Sequence, residues 1–451
     1  MELKVDWKKV HRVKVDQIEI DLMEPEQGGR TMPEYLDDAQ KQETRELWEG
    51  IFSEDSRSFV DYYYREKMKD NRVLAIREDG VLQAMLHQNP YLLAVGKWRW
   101  RVDYLVGVAT RPEKRHQGYM RRLLTVMMAE MRTEKMPFCF LMPASEAIYL
   151  PFGFTFIFRQ PKWRLRSLGS GSDSFSEGFA RKQVLCKGDL NIGEDYSRPG
   201  RRGYLGELAK WMNQWLSVRY QVYAVRDEAY LRRLFLELAS ENGSFDVLMD
   251  RHGIAGMQAF WGIDEVEQRL LYGKEPYVEE EKDTEKPAIM ARIITPEVFV
   301  KAIHLRSEER EDERAIRLYL EDPLIPENDG LWIWHLNHEM SWMERGENDK
   351  KWITEGSADC GKLDEKSIVE KCEKTGLCKT SGIKDSAKAA GISGETICEY
   401  KHKTECECEW DLCMSIAEFT SWLFGYSVPA VVGEWDKVVE PLKGVFLDEV
   451  V

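Results

Sequence analysis

The stretch from Val106 to Leu124 changes its apolar period part-way, and that change dictates a strand, a loop and a helix in succession. Val106-Gly-Val-Ala-Thr110 is β-branched and small, as at the end of a strand. A basic loop follows, Lys114-Arg115-His116-Gln117-Gly118. From Met120 the apolar residues fall at Leu123, Leu124, Met127, Met128 and Met131, which is one face of a helix. A strand leading through a basic loop ending in Gly to a helix N-terminus makes an anion site. The unpaired N–H groups and the positive end of the helix dipole both point into the loop. Arg115 adds fixed charge, and Gly118 lets the backbone approach a ligand. The loop is neither a Walker A sequence nor a GxGxxG, which argues against nucleoside triphosphates and dinucleotides. A solvated basic loop capping a core helix satisfies the same residues.

The order Arg115-x-x-Gly118-x-Met120 after a strand resembles the acetyl-CoA pyrophosphate loop of the GNAT N-acetyltransferases, usually Arg/Gln-x-x-Gly-x-Gly/Ala. Met120 departs from the small final residue and is more similar to the Eis (enhanced intracellular survival) branch of bacterial enzymes, where that position is often larger. The resemblance implies acetyl-CoA as co-substrate. It puts Arg115, His116, Gln117, Gly118, Tyr119 and Met120 around the pyrophosphate, and the backbone of Val106, Gly107 and Val108 at the thioester carbonyl.

Pro137-Phe-Cys-Phe-Leu-Met-Pro143 reads as a short buried strand, and Ala144 to Leu150 as a short helix with Ser145 available as its cap. Thr155 to Phe158 is extended again. Ser145-Glu-Ala-Ile-Tyr149-Leu-Pro-Phe-Gly-Phe154 is similar to the Eis pattern in which a Tyr before Phe-Gly-Phe/Tyr protonates the departing thiolate. The resemblance therefore implies that Tyr149 is the general acid. A packed, half-buried ring is the plain alternative. No His or Glu stands beside the motif to act as base. In the Eis family the chain's own C-terminal carboxylate serves, which points to Val451 at the end of the apolar tail Lys443-Gly-Val-Phe-Leu-Asp-Glu-Val-Val451. A strand with a frayed last residue is the alternative there.

Upstream, Gln42 to Lys67 is helical and aromatic-rich, interrupted by Ser53-Glu54-Asp55-Ser56, which reads as a new helix cap. GNAT folds lay their first two helices over the acceptor site, so Glu54 and Asp55 are candidates for attracting a substrate ammonium. They serve equally to complement the second helix's dipole. Arg72–Arg77 and Val81–His87 form a hairpin around Glu78-Asp-Gly80, with further strands at Tyr91–Trp98 and Trp100–Val108.

The chain of 451 residues is too long for one ordinary core. Past Leu168 a Gly/Ser tract marks a boundary. Helices at Leu205–Val218 and Asp227–Ser240, then strands at Phe245–Asp250 and Ile254–Trp261, repeat the opening order of the first domain. Tyr223-Ala-Val-Arg226-Asp-Glu-Ala-Tyr230 resembles the second GNAT-like domain of Eis proteins. Ala288 onward, with strands at Ala315–Leu320, Gly330–Leu336 and Asp411–Ile416 and a helix stopped by Gly425, looks like their sterol-carrier-like closing domain. The resemblance thus implies an α/β (α+β) architecture. It comprises a catalytic GNAT domain over 1–168, a degenerate GNAT-like copy over 169–287 and a sterol-carrier-protein-like α/β domain over 288–451. It also implies a homo-oligomer, a hexamer built as a trimer of dimers.

Glu344 to Glu409 departs from that pattern: it is polar and holds six of the nine cysteines. Cys398, His402, Cys406 and Cys408 lie close, but not at the paired spacing of zinc ribbons, so the segment reads as an insertion and no metal is expected. A formal charge of −15 argues against non-specific nucleic-acid binding and is compatible with a cationic substrate. No apolar run is long enough for a membrane, and the N-terminus lacks a signal core, so a cytoplasmic location is expected. The function implied is acetyl transfer to a primary amine of an aminoglycoside, polyamine or lysine-like compound. The alternatives are lysine acetylation on proteins or peptides, and a non-catalytic acyl-CoA or lipid-binding module.

Overall fold

The computed structural model describes residues 32–166, 180–185, 204–275, 277–281, 285–346 and 410–449. Along the chain, β1 (Glu34–Tyr35) leads to helices α1 (Arg45–Ile51) and α2 (Arg57–Glu66). The cap expected between them is present: the Ser56 hydroxyl accepts from the Phe59 N–H at 3.0 Å, contributing about 1 kcal/mol. Next come β2 (Arg72–Glu78), β3 (Val81–Val95) and β4 (Trp98–Thr110). Tyr91 to Trp98 is therefore not a strand of its own. Tyr91–Val95 continues β3 through Pro90, and the reversal falls at Gly96, whose φ of +54° suits only the tightest turn.

Helix α3 (Tyr119–Thr133) buries the predicted face, with Leu123, Leu124, Met127, Met128 and Met131 all fully covered. Their burial stabilises the packing by about 10 kcal/mol at roughly 2 kcal/mol a side chain. Strand β5 (Phe138–Leu141) follows, then the single turn α4 (Glu146–Tyr149) and β6 (Thr155–Gln160). Ser145 occupies the cap position of α4, but its side chain makes no capping bond; one helical turn offers little to cap.

Two short pieces, β7 (Trp163–Leu165) and β8 (Ala180–Leu185), lead to α5 (Tyr204–Ser217), β9 (Val222–Ala224) and α6 (Glu228–Ser240). Then come β10 (Ser244–Asp250), β11 (Gly253–Trp261), β12 (Glu267–Gly273), β13 (Val278–Glu280) and β14 (Lys286–Ile293). The remainder is α7 (Pro296–Phe299), β15 (His304–Leu305), β16 (Glu313–Glu321), β17 (Gly330–Asn337) and β18 (Ser341–Arg345). After residue 409 it continues with β19 (Leu412–Ser415), α8 (Ile416–Leu423), β20 (Val439–Glu440) and β21 (Val445–Phe446). α8 stops at Gly425, as expected, and opens on a capping box between Ser415 and Glu418, within the stretch read as strand.

The architecture is mixed α/β, with a central mixed sheet flanked by helices. Its strands run β1-β2-β3-β4-β5-β14-β6. Strand β14 is remote in sequence, yet it lies antiparallel between β5 and β6. The far end of β3 carries β9, and β21 adds to β9 in parallel. The C-terminal tail is thus a strand of the same sheet. A second sheet, β12-β11-β10-β8, packs behind α5 and α6, and a third is ordered β18-β17-β16-β19. No helix among the described residues is long and apolar enough to cross a membrane.

Candidate active site

The site begins where two strands part. β4 and β5 run parallel and pair only at Tyr104–Phe140 and Leu105–Leu141. Immediately beyond, β4 bulges: Val106 faces His87 on β3, while Ala109 faces Met85, so β4 carries one residue more than its partner. Gly107 sits in the bulge with φ +58°, and a Cβ there would lie 2.5 Å from Cζ3 of Trp48. The bulge turns β4 away from β5 and leaves a wedge between them at Val106 to Val108. Backbone donors on a parting strand edge are the kind of group that stabilises an oxyanion.

The basic loop lies at the mouth of this wedge. Arg115, His116, Gln117 and Gly118 are exposed, and Arg115 makes no ion pair among the described residues. His116 and Gly118 have φ of +62° and +77°, which curls the loop under the start of α3. The first intrahelical bond there runs from the Arg122 N–H to the Gly118 carbonyl at 3.0 Å, so the N–H groups of Tyr119 to Arg121 precede the helical ladder. Tyr119 takes no part through its side chain: the ring is buried and the hydroxyl donates to Glu78, which also holds Lys114 at 2.7 Å. That contact ties the loop to the β2–β3 hairpin. A Cβ at Gly118 would meet nothing within 4 Å, so the glycine is required by its φ rather than by crowding. Gly118→Val should therefore raise KM for acetyl-CoA at least about tenfold while the thermal midpoint moves by only a few degrees, since the αL penalty is about 1–2 kcal/mol. Unchanged KM in a steady-state titration would remove this loop from the cofactor site.

Tyr149 ends α4 and is buried in the cluster that holds Leu105, Leu141, Leu123 and Leu124, with Val108 and Met120 packed at its edge. Tyr149 thus packs in the same cluster as residues of β4, β5 and the first turns of α3. Desolvation alone pushes its pKa up to about 12, and its hydroxyl makes no hydrogen bond among the described residues. The ring rests edge-on against Phe154, 5.9 Å between centroids. A phenol so placed keeps its proton throughout the neutral range.

The opposite face of the wedge is aromatic and polar. Trp48, against Gly107, lies 4.5 Å from Tyr63 between centroids, and Tyr104 of β4 stacks on Phe140 of β5 at 5.0 Å. His87 lies among them, Nδ1 3.2 Å from the Tyr63 hydroxyl and Nε2 buried without a partner. Desolvation pulls its pKa down to about 3, so it is neutral there. Lys67 is buried and donates to the Tyr91 hydroxyl at 2.9 Å. Beyond Lys67 the C-terminal tail comes in. Asp448 and Glu449 are buried and each accepts from Arg226 at 2.6 Å, while Arg269 donates to the Asp448 carbonyl at 2.9 Å. Burial raises the Glu449 carboxyl, against the pull of Arg226.

Residues 33–157 match the acetyltransferase (GNAT) domain family. Residues 33–157 are a GNAT acetyltransferase domain. The strand wedge, the loop and Tyr149 all fall inside it, and the chain is accordingly an N-acetyltransferase. No curated protein sequence matches the chain. Among solved structures, a GCN5-related N-acetyltransferase from Anabaena variabilis is 13% identical, with TM-score 0.58 over 91% of this chain and 94% of that one. Eis1 from Mycobacterium abscessus is 10% identical, with TM-score 0.56 over 93% of this chain and 100% of that one. A probable N-acyltransferase from Enterococcus faecalis is 15% identical, with TM-score 0.54 over 70% and 86%. At these identities the likeness is one of fold.

Within the GNAT domain, Val108, Met120 and Tyr149 share one apolar cluster, and Arg115–Gly118 are exposed just before α3. Glu54 is exposed on the α1–α2 connection, and Asp55 beside it accepts from the Trp48 indole at 2.8 Å, which ties that connection to the wall of the wedge. Val451 lies outside the described residues, as do the Gly/Ser tract and six cysteines from Cys360 to Cys408. Among the described residues no three His, Cys, Asp or Glu side chains are grouped as a metal site. His87, Trp48 and Tyr63 were not singled out from the sequence. The available signal was the alternation His87, Asn89, Tyr91 within β3, which puts polar and aromatic groups on one face.

Proposed function

We propose that the protein is an acetyl-CoA-dependent N-acetyltransferase acting on a primary amine of a cationic small molecule of aminoglycoside, polyamine or lysine-like type. The observation that carries this reading is that Tyr149 shares one cluster with Leu105 and Val108 of β4, Leu141 of β5 and Tyr119 and Met120 of α3, the helix that the αL glycine opens. Arg115 and the amides of Gln117 to Met120 fit a diphosphate: the loop is exposed, cationic and open above Gly118. Val106 to Val108 supply backbone donors for the thioester oxygen.

The amine nitrogen attacks the thioester carbonyl carbon, forming the N–C bond as the carbonyl pair moves onto oxygen. When the C–S bond breaks, the pair goes to sulfur and Tyr149 passes its proton there, later recovering one from solvent. The desolvation that raises Tyr149 raises a thiolate in the same pocket as well, so donor and acceptor stay matched. The ammonium proton goes to a carboxylate delivered by the C-terminal tail, Val451 in this reading. Burial of Asp448 and Glu449 supports a docked tail, and the field of Glu449 at Tyr91 supports its approach to the wedge. The aromatic wall supports a cationic acceptor through ring–cation attraction. In this reading 1–168 is catalytic, 169–287 is a degenerate copy walling the acceptor, and 288–451 is a sterol-carrier-like platform in a hexameric assembly.

The test is thiol release from acetyl-CoA against aminoglycosides, polyamines, lysine derivatives and a lysine peptide. Release with small polyamines supports the proposal; release with the peptide alone makes the enzyme a protein acetyltransferase. Coenzyme binding without release on any acceptor counts against catalysis. Residues added beyond Val451 should lower kcat at least about tenfold if its carboxylate is the base; full activity in the extended chain would assign the base elsewhere.

A further inference from the structure

We propose that Arg292, anchored by Asp322, is a positioning residue for Tyr149, so that the C-terminal region acts on the transfer step through the turn that follows the phenol. This rests on Tyr149 being the acid.

Arg292 lies on β14, opposite Cys139 of β5, and its side chain is 1% exposed. One arm of the guanidinium, Nη1, donates to the Phe152 carbonyl at 2.8 Å, three residues past Tyr149. The other, Nη2, donates to Asp322 Oδ1 at 2.6 Å. Asp322 is itself fully buried and over-determined. It accepts from the N–H groups of Leu324 and Ile325 and from Asn328 Nδ2 at 2.9 Å, and its own N–H donates to Asp329.

The turn is shaped around that guanidinium. Gly153 has φ +74°, and a Cβ there would overlap Arg292 Nη1 and lie 2.9 Å from Ile416 of α8. From the other side Arg121, in the first turn of α3, stacks its guanidinium on the Phe152 ring, 5.4 Å from the centroid. Phe152 is thereby held by its ring from the cofactor loop and by its carbonyl from the C-terminal region. Ile325, from the same turn as Asp322, is buried in the cluster that contains Tyr149. A buried ion pair is a poor way to gain stability, since apolar residues of similar volume do as well. What this pair adds is direction: a planar fork that fixes one carbonyl. Displacing a reacting group by about 1 Å costs on the order of 100-fold in rate.

The test is the paired replacement Arg292→Met with Asp322→Leu, which removes both charges together and leaves neither buried alone. Expected are a kcat for thiol release lowered about 10- to 100-fold, KM for acetyl-CoA within about twofold, and an unchanged circular-dichroism spectrum. Placed on Tyr149→Phe, the pair should cause no further loss, because both act on the same step. Wild-type kcat in the paired variant overturns the proposal. A loss that multiplies with that of Tyr149→Phe also overturns it, while leaving Tyr149 as acid. Wild-type turnover by Tyr149→Phe alone removes the acid and the proposal with it. If the paired variant does not fold, Arg292→Lys keeps the partner of Asp322 but lacks the fork to Phe152, and carries the same expectations.

Discussion

Tyr149→Phe should lower kcat about 100- to 10,000-fold, the usual contribution of a positioned general acid, with KM for acetyl-CoA within about twofold. The fold should persist. The hydroxyl makes no hydrogen bond among the described residues, and the ring contacts to Phe154 and the surrounding cluster are the same for Phe. The pH dependence is signed by the phenol's rise from 10.0 to about 12. A group raised on folding contributes stability that is whole below its unfolded pKa and is lost as pH climbs through the folded one. Tyr149 therefore stays protonated to about pH 10, and no alkaline fall of kcat below that pH should belong to it. Steady-state kinetics from pH 6 to about pH 10 check both parts; wild-type kcat in Tyr149→Phe would end the acid assignment.

Arg226→Met should cost about 3–5 kcal/mol of stability, because it leaves Asp448 and Glu449 buried without the guanidinium that pairs with both. For domains of this size that is a fall of about 10 °C in thermal midpoint. Burial already raises Glu449, and removing the guanidinium raises it further. The sign follows: a carboxyl raised on folding withdraws stability as pH rises through its folded pKa and restores it on acidification. The deficit of the variant should thus be larger at pH 8 than at pH 5. A deficit independent of pH in calorimetry would mean that the carboxylates are not what Arg226 holds.

Local features were well exposed in the chain. The change of period at Gly118 predicted both the strand end and α3, because a helix core face and a strand face differ in spacing alone. A cap at Ser53–Ser56 and Gly425 as a stop were equally readable: each acts on backbone groups within four residues of itself. The hairpin at Asp79-Gly80 followed from turn chemistry. Where a local signal misled, at Ser145 and at Tyr91–Trp98, the cause was a helix too short to cap and a strand that ran on through Pro90.

The candidate site divides the same way. Arg115, Gly118 and Tyr149 are each adjacent to the element that presents them, and the family resemblance named them as candidates. Nothing in spacing brings His87 behind the Gly107 bulge, since that depends on cross-strand register. Nor does it place β14 between β5 and β6, or join Arg292 to Asp322 and the Phe152 carbonyl. Elements, their caps and the loop chemistry are written locally, because they arise from contacts within a turn or two. That segments hundreds of residues apart share one sheet and buried ion pairs emerges only once the chain is packed. Those contacts are selected by burial and pairing across the whole chain, and no local pattern records them.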